Sequence, residues 1–141
     1  MKYIKTGLIT LCLSLLVIGQ GCGGDDSPSP LQKQSKLLAN TWSLGEVIND
    51  NVNVTAQFSG FTLTMDSDMK FTTTNGGNAW PSSGTLEFDN NDVDELLRND
   101  GVNITIVSIS KSSLQLRFIQ SDLATTRTTG ITGDFNFSLI N

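Results

Sequence analysis

Few residues in this chain could carry out chemistry. The sequence has no histidine, and its two cysteines, Cys12 and Cys22, both precede the main body of the chain. Without histidine, Ser-His-Asp and Cys-His catalysis are excluded and the commonest ligand of transition metals is missing. After Cys22 there is no thiol for a disulfide or for nucleophilic attack. We therefore expect no enzymatic activity, no cofactor and no metal site, and the one side chain with an evident reaction is Cys22.

Cys22 directly follows a leader-like segment. The first five residues form a short basic segment, and residues 7–18 are almost entirely apolar. A membrane-spanning helix needs about 20 apolar residues, so this shorter run is typical of a secretory signal peptide. Gly21-Cys22 resembles a bacterial lipobox, in which a diacylglyceryl group is attached to the cysteine sulfur and the chain is cut before it. We predict a signal peptide over 1–21 and lipidation of Cys22. The alternative is a secreted protein with an incidental cysteine.

The residues after Cys22 bear on where the anchor is delivered. Gly23-Gly24-Asp25-Asp26 resembles the signal that sends lipoproteins of the Bacteroidota type to the outer face of the outer membrane. Because each buried methylene contributes about 0.8 kcal/mol, two or three acyl chains attach a protein stably. The resemblance implies an outer-membrane protein, lipid-anchored through Cys22 and facing the cell exterior. The periplasmic face is the alternative.

Charge and length narrow the class of partner. Without the leader, which contains Lys2 and Lys5, 7 basic and 14 acidic residues remain, a net charge of 7 − 14 = −7. This disfavours nucleic acid, whose binding depends on basic contacts to phosphate. Roughly 105 residues follow the tether, enough for one core and one domain. We expect a monomer.

The chain after the anchor divides into a tether and a folded domain. The alternating prolines of Ser27-Pro28-Ser29-Pro30 favour an extended chain, so we assign residues 22–35 to the lipidated cysteine and a flexible tether. Residues 31–40 are helix-like. Residues 36–141 form the predicted domain.

From Thr41 onward, apolar and polar residues alternate with a period of two, which predicts strands with one dry and one wet face. A helical turn is predicted over 92–98. Eight short strands suit a small antiparallel up-and-down barrel, with a short N-terminal helix in an otherwise all-β fold. A β-sandwich is the alternative. The predicted strands are 41–48, 52–58, 61–65, 70–74, 84–89, 102–106, 114–118 and 133–140.

Two stretches resemble a known family. Leu38-Ala39-Asn40-Thr41-Trp42 resembles the first-strand Gly-x-Trp of lipocalins, with Asn40 in place of the glycine. In that family the tryptophan plugs one end of the barrel behind a short helix. The sequence of 80–88, together with 100–102 and 109–118, resembles the compact lipocalin-like domains of Bacteroidota-type lipoproteins. The resemblance covers residues 37–141. It implies a lipocalin-like barrel that could hold a small apolar ligand, and an arginine over the tryptophan, either Arg117 or Arg127.

The barrel interior is the first candidate site. An eight-stranded barrel holds either packed side chains or one small ligand, and the bulky inward residues of this short chain favour a filled core. Trp80 lies in a loop rich in Gly, Asn and Pro. There it could stack on a sugar or a partner, or it could pack as a lid on the barrel rim. The candidate ligand-binding residues are Trp42, Phe61, Phe71, Trp80, Phe88, Phe118 and Phe135.

Acidic residues supply the remaining candidates. By alternation Glu46 shares a face with Trp42, but a one-residue bulge would turn it outward, and we expect the bulge. The acidic turns at 66–68 and 89–95 do not fit the EF-hand template, so we interpret them as solvated turns.

Two functions remain: a non-catalytic module for a small hydrophobic ligand, or a structural lipoprotein with a filled barrel whose loops contact a surface protein or a glycan.

Overall fold

The computed structural model describes residues 27–121 and 132–141. The predicted signal peptide, Cys22 and Arg127 lie outside these residues. One α-helix precedes nine strands, and 3-10 helices occupy Thr55–Phe58 and Asp89–Asn91. The elements are α1 Pro30–Leu38, β1 Thr41–Asn49, β2 Val52–Asn53, β3 Thr62–Met65, β4 Lys70–Thr74, β5 Ser83–Phe88, β6 Glu95–Arg98, β7 Asn103–Ile109, β8 Ser113–Gln120 and β9 Gly133–Ile140.

The strands form one antiparallel sheet that closes on itself. Their order is β2-β1-β3-β4-β5-β6-β7-β8-β9, and β1 also pairs with β9. The two-residue strand β2 pairs with the end of β1, so eight strands make the barrel. The predicted all-β fold, a small lipocalin-like barrel with one short helix, is confirmed. Closure removes the free sheet edges that a sandwich would keep.

Two of the predicted elements were wrong. Residues 52–58 are mostly 3-10 helix, because β1 pairs with β3 only over Thr41–Ser43 and the two strands then diverge. The buried ring of Phe58 closes the gap between them. Residues 95–98 form strand β6, not a helical turn, and alternation carries Leu96 and Arg98 to the inside. The count of eight strands is therefore correct, with 95–98 in place of 52–58.

The bulge expected near Glu46 is present. The pairing of β1 with β9 shifts register between Leu44 and Glu46. Gly45 allows the close approach, since a Cβ there would lie 2.7 Å from the carbonyl oxygen of Ser138. Glu46 is exposed and accepts a hydrogen bond of 3.0 Å from the amide of Asn53. The bulge thus keeps this carboxylate out of the interior.

The connections between strands alternate between two ends of the barrel. We call one end the loop end; it holds the connections 50–51, 75–82 and 99–102, the last residue of β8 and the first residue of β9. The opposite end, which we call the helix end, holds α1 and the connections 66–69, 89–94 and 110–112.

Helix α1 agrees with the helix predicted over 31–40 to within two residues at either end, and its first turns lie in the segment assigned to the tether. Ser29 caps it, because its hydroxyl accepts a hydrogen bond from the backbone N–H of Gln32 while the Gln32 side chain accepts from the N–H of Ser29. Pro30 occupies the first turn, where no backbone N–H donor is needed. The helix packs at the helix end through the buried side chain of Leu38.

Candidate functional site

The barrel interior is occupied by the protein's own aromatic rings. Phe118 stacks on Phe135 and on Phe137, with ring centroids 5.6 Å apart in both pairs. Phe58 meets Phe137 edge to face at 5.1 Å. All these rings are buried. A ligand in the space that these rings hold would have to displace a side chain.

Five of the seven predicted ligand-binding residues meet at one place. The ring of Trp80 lies 5.6 Å from Phe71 and 5.4 Å from Phe118, edge to face in both cases, and 6.4 Å from Phe61. Phe135 lies behind Phe118. The candidate site therefore consists of Trp80 and the rings around it, at the loop end.

The other two predicted residues are elsewhere. Trp42 is completely buried at the helix end, where its indole N–H donates a 3.0 Å hydrogen bond to the carbonyl of Leu38. Phe88 is half-buried at the end of β5, on the same side. These two side chains close the helix end and do not border the site around Trp80.

Trp80 is positioned by the loop 75–82, which folds over the loop end and places the ring inside. The loop is tight: Trp80 N–H bonds to the Gly76 carbonyl, and a Cβ at Gly76 would lie 2.6 Å from the Trp80 carbonyl oxygen. The loop's far side is tied to β4, since the Thr73 hydroxyl donates to the Pro81 carbonyl at 2.8 Å. Trp80 is only 2% exposed, so its ring is not available to stack on a sugar at the surface.

The indole N–H of Trp80 is unsatisfied. It is buried and has no hydrogen-bond acceptor among residues 27–121 and 132–141. A buried donor without a partner costs about 1–3 kcal/mol. Burying the ring itself contributes about 4–6 kcal/mol, taking roughly 150–250 Å² of area at about 25 cal/mol per Å². The ring therefore stays inside, but by a smaller margin than a satisfied tryptophan would have.

Arg98 lies beneath this ring and was not predicted as a site residue. Its guanidinium carbon is 5.1 Å from the Trp80 ring centroid and 5.6 Å from that of Phe118. The side chain is 1% exposed. Its three nitrogens donate to the Asp100 carboxylate at 2.8 Å, the Ala79 carbonyl at 2.9 Å and the Gln120 amide oxygen at 3.2 Å. The guanidinium thus joins the loop 75–82 to the hairpin 99–102 and to β8.

Asp100 is the charged partner of Arg98. Its partial burial alone would raise the pKa of its carboxyl group, but the hydrogen bond and charge of Arg98, with the backbone N–H of Val102, bring that pKa below its ordinary value. Asp100 is therefore ionised at neutral pH and balances the buried guanidinium. The pair places no net charge at the site.

Arg117, one of the two arginines predicted to cover Trp42, is instead on the outside. It forms an exposed pair with Asp134, with Nε 2.9 Å from one carboxylate oxygen. This contact lowers the pKa of Asp134, through the hydrogen bond first and the charge of Arg117 second. The buried arginine of the described residues is Arg98, and its ring contact is with Trp80.

The loop end also has a surface depression of about 750 Å³. It lies between the hairpin 99–102 and the end of β8. Its lining combines the apolar side chains of Val102 and Phe118 with the polar groups of Asp100 and Gln120. The depression adjoins Arg98 through Asp100 and Gln120, both of which bond to its guanidinium.

The acidic turns have structural roles. The Asp66 carboxylate accepts hydrogen bonds of 2.9 Å from the backbone N–H groups of Asp68 and Lys70. Asp92 accepts from the N–H of Asp94 at 3.0 Å. These are Asx-type turns. In the part of the chain that the structure describes, no group of three or more Asp, Glu, His or Cys side chains is placed to bind a metal ion.

No protein-family model matches the chain, and no curated sequence is significantly similar to it. Within the described ranges, no helix has the length and apolar character needed to cross a membrane.

Proposed function

We propose that this protein is an outer-membrane lipoprotein whose lipocalin-like barrel is a non-catalytic binding module, anchored through Cys22 at its helix end and presenting its loop end away from the membrane. The observation that carries the proposal is the placement of α1 at the helix end, a few residues after Cys22 in the chain. Seven residues separate Cys22 from Pro30, so the chain between their Cα atoms reaches at most about 29 Å. We therefore expect the anchor to lie on the side of the helix end.

The loop end supports the assignment of binding to this side. It combines a polar-lined depression, a buried arginine and a tryptophan with an unsatisfied donor. The helix end, in contrast, is closed by a tryptophan whose donor is bonded. The lack of histidine, and of any cysteine after Cys22, supports a role without catalysis.

The anchor is tested by the pair Cys22→Ala and Cys12→Ala. We expect Cys22→Ala to move the protein from the membrane pellet to the soluble fraction, because the acyl chains have lost their attachment atom. Cys12 lies within the predicted signal peptide, so Cys12→Ala is the matched control and should leave the protein in the pellet. A Cys22→Ala protein that stays in the pellet would contradict the anchor.

The orientation is tested by a single new thiol at either end. Val52→Cys at the loop end and Ser112→Cys at the helix end both introduce exposed side chains. Treated with a membrane-impermeant maleimide, intact cells should label Val52→Cys faster, because the membrane shields the helix end. Equal or reversed rates would contradict the orientation. Labelling that requires a permeabilised outer membrane would place the protein on the periplasmic face.

A further inference from the structure

The most informative feature outside the sequence predictions is the contrast between Trp80 and the rings that surround it. Phe61, Phe71, Phe118 and Phe137 lie on strands or directly beside one, and their removal from the core would break the barrel wall. Trp80 lies on the loop 75–82, so its ring can leave while the wall stays closed. It is also the ring that carries an unsatisfied polar group.

We propose that the volume held by the Trp80 indole is a binding site for a small planar aromatic molecule with an oxygen acceptor, and that the indole is the protein's own occupant of this site. The proposal rests on the proposed function, since it names the ligand class of the loop end. A flat ring of indole size fits, because three rings already meet the indole edge to face at 5.4–6.2 Å. The polar part of the ligand is set by Arg98.

Arg98 supplies the requirement for an oxygen acceptor. Its Nη1 donates to the carbonyl of Ala79, the residue directly before Trp80. Movement of Trp80 out of the barrel carries Ala79 with it and leaves this buried N–H without an acceptor, so an entering molecule has to replace the carbonyl oxygen. The other two nitrogens remain bonded to Asp100 and Gln120, which do not belong to the moving loop. A carbonyl or carboxylate oxygen on the rim of the ring restores the third bond.

The hinges of this movement are also visible. The bonds from Thr73 to the Pro81 and Ser82 carbonyls hold the C-terminal side of the loop to β4. The amide of Asn75 donates to the Ser59 carbonyl at 3.1 Å and holds the N-terminal side. Residues 76–80 lie between these fixed points and include Gly77, whose φ of +56° suits glycine. In the proposed movement the segment swings outward, the bond between Arg98 and Ala79 breaks, and both ends of the segment stay in place.

The test uses the full chain, processed by its host and placed in lipid nanodiscs, with 2-naphthoate as the probe and empty nanodiscs as the blank. In the wild-type protein the apparent affinity is reduced by the fraction of molecules in which Trp80 is out. Trp80→Ala removes the internal occupant, and we expect 2-naphthoate to bind at least tenfold more tightly, measured by calorimetry. Phe58→Ala is the matched control: it removes a buried ring from the same core without uncovering Arg98, and the affinity should not rise tenfold.

The acceptor is tested by comparing 2-naphthoate with naphthalene. In Trp80→Ala, naphthoate should bind more tightly than naphthalene, and Arg98→Met should abolish that preference. If Trp80→Ala is folded and binds naphthoate no better than wild type, the proposal is wrong. Suppose that naphthoate does not bind but the maleimide still labels Val52→Cys faster than Ser112→Cys. The proposed ligand class is then wrong, whereas the orientation given under the proposed function is retained.

A second measurement does not depend on whether Trp80→Ala folds. Wild-type protein labelled with 5-fluorotryptophan gives two fluorine resonances, assigned through Trp42→Phe. Adding 2-naphthoate should move the Trp80 resonance to a position sensitive to solvent deuteration and leave the Trp42 resonance unchanged. No change in the Trp80 resonance up to the solubility limit of naphthoate would overturn the proposal.

Discussion

A tryptophan closes each end of this barrel, and the two differ in how they are held. At the helix end, Trp42 is part of β1, and its N–H donates to the Leu38 carbonyl of the preceding helix. At the loop end, Trp80 is carried by a loop, and its N–H is unpaired among the described residues. The rings are buried to nearly the same degree. Burial alone therefore does not distinguish a permanent plug from one that can leave; the hydrogen bond and the backbone support do.

Removing each tryptophan ring in turn tests this difference most directly. We expect Trp42→Ala to lower the free energy of unfolding by about 4–5 kcal/mol, at the upper end for such truncations, because a strand position cannot collapse into the space. Trp80→Ala should cost less, about 2–3 kcal/mol, because the buried donor that it removes had no hydrogen-bond partner. Urea denaturation followed by circular dichroism gives both values. A larger loss for Trp80→Ala would contradict the account.

The two arginine pairs allow a second comparison, between the buried Arg98 with Asp100 and the exposed Arg117 with Asp134. Arg98→Lys should destabilise by about 2 kcal/mol, because one ammonium cannot serve acceptors on three separate elements in a buried site. Arg117→Lys is the matched control in an exposed pair, where ion pairs contribute about 0–1 kcal/mol. The same denaturation experiment applies. Similar losses in both variants would mean that Arg98 does not join the loop 75–82 to the wall.

A smaller effect isolates the hydrogen bond at each indole. Trp42→Phe leaves the buried Leu38 carbonyl without the indole donor, whereas Trp80→Phe removes a donor that had no acceptor. We expect Trp42→Phe to be the more destabilising by about 1 kcal/mol, the usual net value of one hydrogen bond. If Trp42→Phe and Trp80→Phe unfolded at the same urea concentration, the hydrogen bond of the Trp42 indole would not explain the difference between the two tryptophans.

The smallest effect is a pH dependence. Because Arg98 holds the pKa of Asp100 below the ordinary value of 3.8, Asp100 contributes stability that is present above that value and is lost as the pH falls through the lowered pKa. Asp100→Asn should therefore be less stable than wild type at neutral pH, and the difference should shrink below about pH 4. Thermal melts at a series of pH values would show this. If the stability difference between wild type and Asp100→Asn grew as the pH fell, the predicted direction of the pH dependence would be wrong.

Much of the wall was predictable, because alternation of apolar and polar residues reports directly which face of a strand is buried. The outward turn of Glu46 was predictable for the same reason: a carboxylate on the inner face had to be displaced by a bulge, and Gly45 allows it. The number of such strands and the short turns between them favoured a closed barrel, but a β-sandwich would have nearly the same pattern.

The missed elements depend on tertiary contacts. Residues 52–58 have strand-like composition, but the divergence of β1 from β3 leaves a gap that a 3-10 helix fills with Phe58. In 92–98 the acidic residues resemble a helical turn, and a four-residue strand is too short to show a period. The burial of Arg98 was therefore not predictable from its neighbours in the sequence. The depth of Trp80 had no signal, since a loop has no period.

We infer that the Trp80 ring can leave the loop end of the barrel, whereas the Trp42 ring stays in place at the helix end. The most direct measurement is hydrogen exchange of the two indole N–H groups in the wild-type protein, followed by NMR. We predict that the Trp80 N–H exchanges at least tenfold faster than the Trp42 N–H, because a bonded donor on a strand needs a larger opening to reach water. Exchange of Trp80 at the same rate as Trp42, or more slowly, would contradict the account.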